Sequence, residues 1–225
     1  MRAFAGSARV VENKSDDGAT REALVQTFMK IAKIVSSNSH IDYIARIIDA
    51  PGESGAVPDP SDHCFGQFVS IDGDGEKVIG VIYDSRLLNP EYGSFGPRSG
   101  PRAELGRQNA DFVREEGILI GILLLGTIDE SGKAFHGVPG KIVPVGRDVS
   151  TADREIVKAF HTGADGRVQL HYYPQVVTNA RQFALPLLNS MIDQVSADCS
   201  DAEADRLKVL RQSLVWQGTL GGVKL

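Results

Sequence analysis

Residues 77–97, KVIGVIYDSRLLNPEYGSFGP, decide how the rest of the chain is interpreted. Their first part, VIGVIYD, is apolar and rich in β-branched residues, as in a buried strand. Their second part, SRLLNPEYGSFGP, combines an arginine with leucines, prolines and two aromatic residues, and it is typical of an exposed loop. Because a core strand runs directly into this exposed apolar loop, the sequence predicts that the loop is a binding surface.

Short β-rich segments surround this stretch from residue 39 to residue 149. HIDYIARIID alternates apolar and polar positions, and GILIGILLLGTI is too short for a membrane helix, which needs about 20 residues. Asp-Gly and Ser-Gly pairs mark turns between the segments. Glycines inside the runs, at Gly66, Gly80 and Gly121, suit strongly coiled strands. Five to seven short strands without intervening helices predict a small closed β-barrel.

Helical patterns flank the predicted barrel. TREALVQTFMKIAKIVSSN carries apolar residues at helical spacing, which predicts a helix over residues 20–38 after a flexible arm over residues 1–19. Residues 150–225 contain amphipathic patterns such as NARQFALPLLNSMIDQV and are predicted to be mainly helical. The predicted fold class is therefore α+β, with a small closed β-barrel over residues 39–149 between an N-terminal helix and C-terminal helices.

Composition and charge narrow the class of protein. The 225 residues are 42% hydrophobic and 24% charged, as in an ordinary globular protein, and the net charge of -5 argues against a protein devoted to coating nucleic acid. Cys64 and Cys199 show no motif spacing and are expected to be free thiols. Because no long apolar segment follows the first arginine, we expect no signal peptide, no membrane association and a cytoplasmic location.

The sequence contains no complete catalytic or metal-binding motif. Gly140 and Lys141 lack the rest of a phosphate-binding loop, and no nucleophile elbow is present. DGDGE starts like a calcium loop, but Tyr83 stands where the bidentate acid is needed, which favours a hairpin turn. His161 and His171 are expected to be unpaired surface residues. These observations predict no catalytic residue, metal or cofactor, and they favour a non-catalytic protein over an enzyme.

Two groups of residues are candidates for binding. The apolar and arginine side chains of residues 77–97 fit a protein interface, unless the two leucines simply plug the end of the barrel; the group consists of Arg86, Leu87, Leu88, Tyr92 and Phe95. The arginines of the following insertion could bind phosphate or carboxylate groups, including a nucleic-acid backbone. The alternative is that they belong to a surface loop without a binding role. These arginines are Arg98, Arg102, Arg107 and Arg114.

The order of segments resembles the HAS-barrel domain, a small barrel found in HerA-type DNA-translocating ATPases and in ATP synthase subunits. The resemblance covers residues 39–161 and rests on Gly66 before its strand, on the VIGVIYD strand, and on Pro139-Gly140 followed by a hydrophobic strand over residues 142–145. It implies a barrel that holds ring subunits together and binds partner proteins. Because no phosphate-binding loop follows the barrel here, ATP hydrolysis and translocation do not carry over.

The expected function is that of a non-catalytic assembly or adaptor protein. It would be a stand-alone HAS-barrel module that associates with itself or with a HerA-like ring ATPase in DNA processing or genome defence. One alternative is a nucleic-acid-binding barrel that uses the arginine-rich insertion. Another is a small-molecule-binding protein or an enzyme with a site in the barrel or at its junction with the helices. A deep pocket that contains His136, Asp84 or Arg86 with a strongly perturbed pKa would favour that last class.

Overall fold

The computed structural model describes residues 29–49, 57–88, 117–197 and 199–221. Its strands are β1 (Lys30–Ser37), β2 (Asp42–Ile47), β3 (Phe68–Asp72), β4 (Glu76–Leu88), β5 (Gly117–Asp129), β6 (Ala134–His136) and β7 (Asp148–Thr151). Its helices are α1 (Arg154–His161), α2 (Tyr173–Asn179), α3 (Ala184–Ser196) and α4 (Asp201–Gly221). Short 3-10 turns cover Pro60–His63 and Arg181–Phe183.

Six strands close a barrel. Hydrogen-bonded neighbours follow the order β2-β1-β7-β3-β4-β5, and β2 pairs back to β5, with Ile44 opposite Gly121. All of these pairs are antiparallel. β6 pairs with the far end of β5 and extends the sheet beyond the closed ring. The predicted fold class, an α+β protein with a small closed barrel and C-terminal helices, is confirmed.

The predicted N-terminal helix is wrong over Lys30–Ser37, which is strand β1. β1 lies between β2 and β7 and pairs with both. Its register shifts between Lys30 and Ala32, so the consecutive residues Ile31 and Ala32 are both buried. This irregularity removes the strict alternation of a strand and leaves apolar residues at a spacing that resembles that of a helix.

The domain boundaries change accordingly. Within the described ranges the barrel begins at Lys30 and ends at Thr151, whereas the sequence predicted residues 39–149. The expected flexible arm over residues 1–19 and the rest of the predicted helix, residues 20–28, lie outside the described residues.

Residues 142–145, expected to be a strand from the resemblance, form a loop that leads into a turn. The side chains of Ile142 and Val145 are 66% and 71% exposed, and only Val143 between them points into the core. The Val143 amide donates a hydrogen bond of 3.1 Å to the buried hydroxyl of Tyr43 on β2. This contact inside the barrel anchors the middle of the loop, and the Gly146 amide, which donates to the Ile34 carbonyl over 2.8 Å, anchors its end.

The C-terminal helices pack on the barrel and share its core. Gln175 of α2 donates a hydrogen bond to the Leu124 carbonyl of β5. Gln194 of α3 donates one of 2.7 Å to the Gly66 carbonyl, just before β3. Buried side chains of α1, α2 and α3 belong to the same apolar cluster as those of the strands. In the ranges described, none of the helices is both long enough and apolar enough to cross a membrane.

Candidate functional site

The outer part of β4 has one open edge. On one side it pairs with β5 as far as Leu88, which lies opposite Gly117. On the other side the pairing with β3 ends at Val81, and the Ile82 backbone bonds to the loop before β3. Beyond that point, no second strand of the described chain pairs with residues 84–88. We call the open side of residues 84–88 the β4 edge.

Residues 85–88 are therefore strand, whereas the sequence predicted a loop, because pairing with β5 continues past the irregularity at Asp84. Leu87 is 82% exposed and Leu88 is 38% exposed, so the alternative that they plug the end of the barrel is wrong. Arg86 is also exposed, and its Nε donates to Asp84 Oδ2 over 3.2 Å. Three of the five residues predicted to bind a partner thus lie together at the β4 edge.

The remaining residues predicted to bind partners or anions lie outside the described residues; they are Tyr92, Phe95, Arg98, Arg102, Arg107 and Arg114. Their roles stay predictions.

A polar cleft lies beside the β4 edge, where the barrel meets the helices. It has a volume of about 590 Å³ and is bounded by the β1–β2 turn, by β4 and by the segment that joins α2 to α3. We call it the junction cleft. The residues that bring charge or hydrogen-bonding groups to it include Asn38, Asp42, Tyr83, Asp84, Arg86 and Arg181.

One wall of the junction cleft is a preorganised hydrogen-bond network around Asp42. The Tyr83 hydroxyl donates to Asp42 Oδ1 over 2.7 Å, and Asn38 Nδ2 donates to Asp42 Oδ2 over 2.9 Å. Burial raises the pKa of Tyr83 well above its usual value, and the hydrogen bond to the Asp42 carboxylate raises it further. Tyr83 therefore stays protonated and acts as a donor that fixes Asp42.

The opposite wall carries Arg181, which has an unusual backbone conformation. Its φ angle is +50°, and it is the only residue other than glycine with a positive φ in the described chain. Arginine enters this left-handed region at a cost, since its Cβ crowds the backbone. The exposed guanidinium makes no hydrogen bond or ion pair with any described residue. Residues held in such conformations are often found at functional sites.

A second cluster, of histidine and aromatic side chains, lies where β6 meets α1 and α2. His161 is only 2% exposed, so the expectation of an unpaired surface histidine is wrong for this residue. Its Nδ1 lies 2.7 Å from the Val157 carbonyl, and its Nε2 lies 2.7 Å from the Tyr172 hydroxyl. A neutral ring that donates from Nδ1 and accepts from Tyr172 at Nε2 satisfies both contacts.

His136 joins this cluster through similar contacts. Its Nε2 lies 2.7 Å from the Phe160 carbonyl, and its Nδ1 accepts from the backbone amide of His171 over 3.2 Å. The His136 and His171 rings lie 5.8 Å apart between centroids, so His171 is not isolated either. Burial lowers the pKa of His136 and lowers that of His161 to about 4. Both rings are therefore neutral near pH 7 and act as structural hydrogen-bonding groups.

Sequence reasoning found only part of the junction cleft. Asp84 and Arg86 had been singled out as possible pocket residues and do line it, whereas His136 belongs to the histidine cluster. Asp42 and Arg181 were missed, because they come from distant segments and belong to no motif. The lining combines carboxylate, amide and guanidinium groups, which are suited to hydrogen bonding with a polar ligand.

Comparison with known proteins places the chain in a family. No curated protein matches it. The model of a family described as a domain of unknown function (DUF8166) matches residues 15–224. Because this match covers nearly the whole chain, the protein belongs to the DUF8166 family.

Proposed function

We propose that this protein is a non-catalytic assembly module that associates with a second copy of itself through the β4 edge. The observation that carries the proposal is Leu87, whose side chain is 82% exposed on a strand with one edge that no described strand pairs with. An exposed apolar residue on an open strand edge favours the addition of another strand, because main-chain hydrogen bonds and apolar burial then act together.

The charges along the β4 edge suit a two-fold symmetric contact. If two copies pair antiparallel with Ser85 at the centre, Asp84 of each copy faces Arg86 of the other. The same register places Leu87 of each copy opposite Tyr83 of the other. Within one chain, Asp84 already accepts from Arg86 and from the Ser85 amide, and both contacts can be exchanged for contacts to the second copy. The edge is therefore complementary to itself.

The resemblance to HAS barrels supports the same kind of role, since those barrels hold ring subunits together. Under this proposal the module also docks on a HerA-like ring ATPase and serves DNA processing or genome defence in the cytoplasm. Cys64 and Cys199 do not form a disulfide, which fits a reducing compartment.

The test is the mass in solution, measured by light scattering on the full chain at several concentrations. We expect a mass twice that of the monomer for the wild type and a monomer for Leu87→Asp. Val145→Asp is the matched control, because Val145 is similarly exposed, at 71%, in the turn before β7. It should leave the dimer intact.

Two results would overturn the self-association proposal. One is that the wild type stays a monomer at concentrations up to about 100 µM, because a dissociation constant above that value would mean only weak self-association. The other is a dimer that Leu87→Asp leaves unchanged. If the wild type is a monomer and binds the ring ATPase through Leu87, then the partner of the β4 edge is that ATPase and not a second copy.

A further inference from the structure

The carboxylates of the junction cleft are already used within the chain. Both oxygens of Asp42 accept hydrogen bonds, one from Tyr83 and one from Asn38. Both oxygens of Asp84 also accept, one from the Ser85 amide and one from Arg86 Nε. Arg86 therefore offsets the charge of Asp84, whereas the donors to Asp42 are neutral groups that orient its carboxylate.

Hydrogen-bond donors remain in excess in the same space. The Arg181 guanidinium has no hydrogen-bonding or ionic partner among the described residues, and all of its N–H groups are available. Arg86 uses its Nε on Asp84, and none of the described residues accepts from its two terminal nitrogens. The side-chain amide of Gln182 is exposed on the same wall. A cavity with spare donors, two of them guanidinium groups, matches a ligand that brings acceptors and negative charge.

We propose that the junction cleft binds a small organic anion, with a phosphate or carboxylate group held by Arg181 and Arg86. The volume of about 590 Å³ fits a small molecule. Phe183 adds an apolar surface, and its ring is held by an edge contact with Phe65, with centroids 6.0 Å apart. The ligand therefore combines an anionic group with an apolar or planar body.

The backbone of Arg181 supports a binding role for its side chain. Glycine would adopt a φ angle of +50° without strain, and arginine does not. The side chain makes no hydrogen bond or ion pair with the described residues that would compensate for this strain. A strained backbone in a residue that lines a cavity, with a guanidinium that has no partner among the described residues, is the pattern expected of a ligand-binding residue.

This inference shares Arg86 with the proposed self-association, in which Arg86 faces Asp84 of the second copy, but the two proposals are tested at different residues. It rests on Arg181 and on the cleft, whereas the assembly proposal rests on Leu87 and the β4 edge. Arg86 lies at both, so neither test substitutes it. The anion site can fail while the dimer survives, and the reverse also holds.

The test is isothermal titration of the full chain with three probes of similar size, which are phenyl phosphate, benzoate and benzyl alcohol. We expect saturable binding of at least one anion and none of the neutral alcohol. Arg181→Gly should weaken the anion at least tenfold, because it removes the guanidinium while relieving the backbone. Arg167→Ala is the control, since Arg167 is an exposed arginine outside the cleft, paired with Asp165, and it should not change the affinity.

Binding of phenyl phosphate alone would identify phosphate as the recognised group, and binding of benzoate alone would identify carboxylate; either supports the proposal. The proposal is overturned if neither anion saturates below about 10 mM, a range that already includes very weak binding. It is also overturned if benzyl alcohol binds as well as the anions, or if Arg181→Gly binds them as tightly as the wild type.

Discussion

The Nε2 atom of His161, at the end of α1, lies 2.7 Å from the hydroxyl of Tyr172, which directly precedes α2. Both side chains are almost fully buried, at 2% and 1% exposure. The contact joins α1 to the start of α2, and burial keeps the imidazole neutral, so that Nε2 accepts the hydrogen bond from the hydroxyl. It therefore links the stability of the helical layer to pH.

Acidification should destabilise the protein before its carboxylates titrate. Burial lowers the pKa of His161 to about 4, so between its unfolded value near 6.5 and this folded value only the unfolded chain takes up the proton. The free energy of unfolding therefore decreases as the pH falls below 6.5, and the decrease reaches about 2 kcal/mol at pH 5. His136 acts in the same direction, since burial lowers its pKa too.

Urea unfolding at pH 7.5, 6.5 and 5 measures this loss. His161→Phe should be less stable at pH 7.5, because Tyr172 loses its acceptor, yet it should show a smaller drop between pH 6.5 and 5. An equal drop in the variant and the wild type would assign the pH dependence to other groups.

Tyr43→Phe should cost about 1–3 kcal/mol, the usual price of leaving a buried donor unsatisfied. The buried Tyr43 hydroxyl accepts from the Val143 amide over 3.1 Å and anchors the loop between β6 and β7. Urea unfolding gives the free energy, and hydrogen exchange followed by NMR reports on the Val143 amide itself. Unchanged protection of that amide would show that the hydroxyl does not hold the loop.

Gly66→Ala should destabilise the protein more than Gly132→Ala does. Both glycines have a similar positive φ, +83° and +82°, so the backbone strain is matched at about 1 kcal/mol. A Cβ on Gly66 would collide with the Ser190 side chain of α3, whereas a Cβ on Gly132 meets nothing within 4 Å. The excess loss of stability measures how closely α3 packs on the barrel, and equal losses would mean that α3 yields easily.

Two substitutions of Arg181 that both remove the guanidinium should differ in stability, because they differ in how well they accept its backbone conformation. Arg181→Gly is expected to unfold at higher temperature than the wild type, because glycine accepts a φ of +50°. Arg181→Val should be less stable than Arg181→Gly by at least about 1 kcal/mol, since β-branched residues resist this region. Calorimetry of the two variants compares them directly, and equal stability would argue against strain at this position.

Local sequence patterns were sufficient where each segment has a regular period. Alternating residues of HIDYIARIID are buried in β2 as predicted, with Tyr43, Ala45 and Ile47 inside. The apolar run from Gly117 forms a single long strand, β5, which needs no polar face because both of its faces are buried over residues 122–128. The helices α1, α3 and α4 also fall where amphipathic patterns predicted helical structure.

The sequence by itself determined the class of the fold, since strand-like and helical periods follow directly from which positions are apolar. Tertiary structure decided the rest. The register shift in β1 turned a helical pattern into a strand, and pairing with β5 carried β4 through the segment predicted to be a loop. Closure of the barrel against the helices placed Asp42 and Arg181 at one cleft, although 139 positions separate them (181 − 42). Such contacts depend on how distant segments pack, and that information is not contained in the local pattern of either segment.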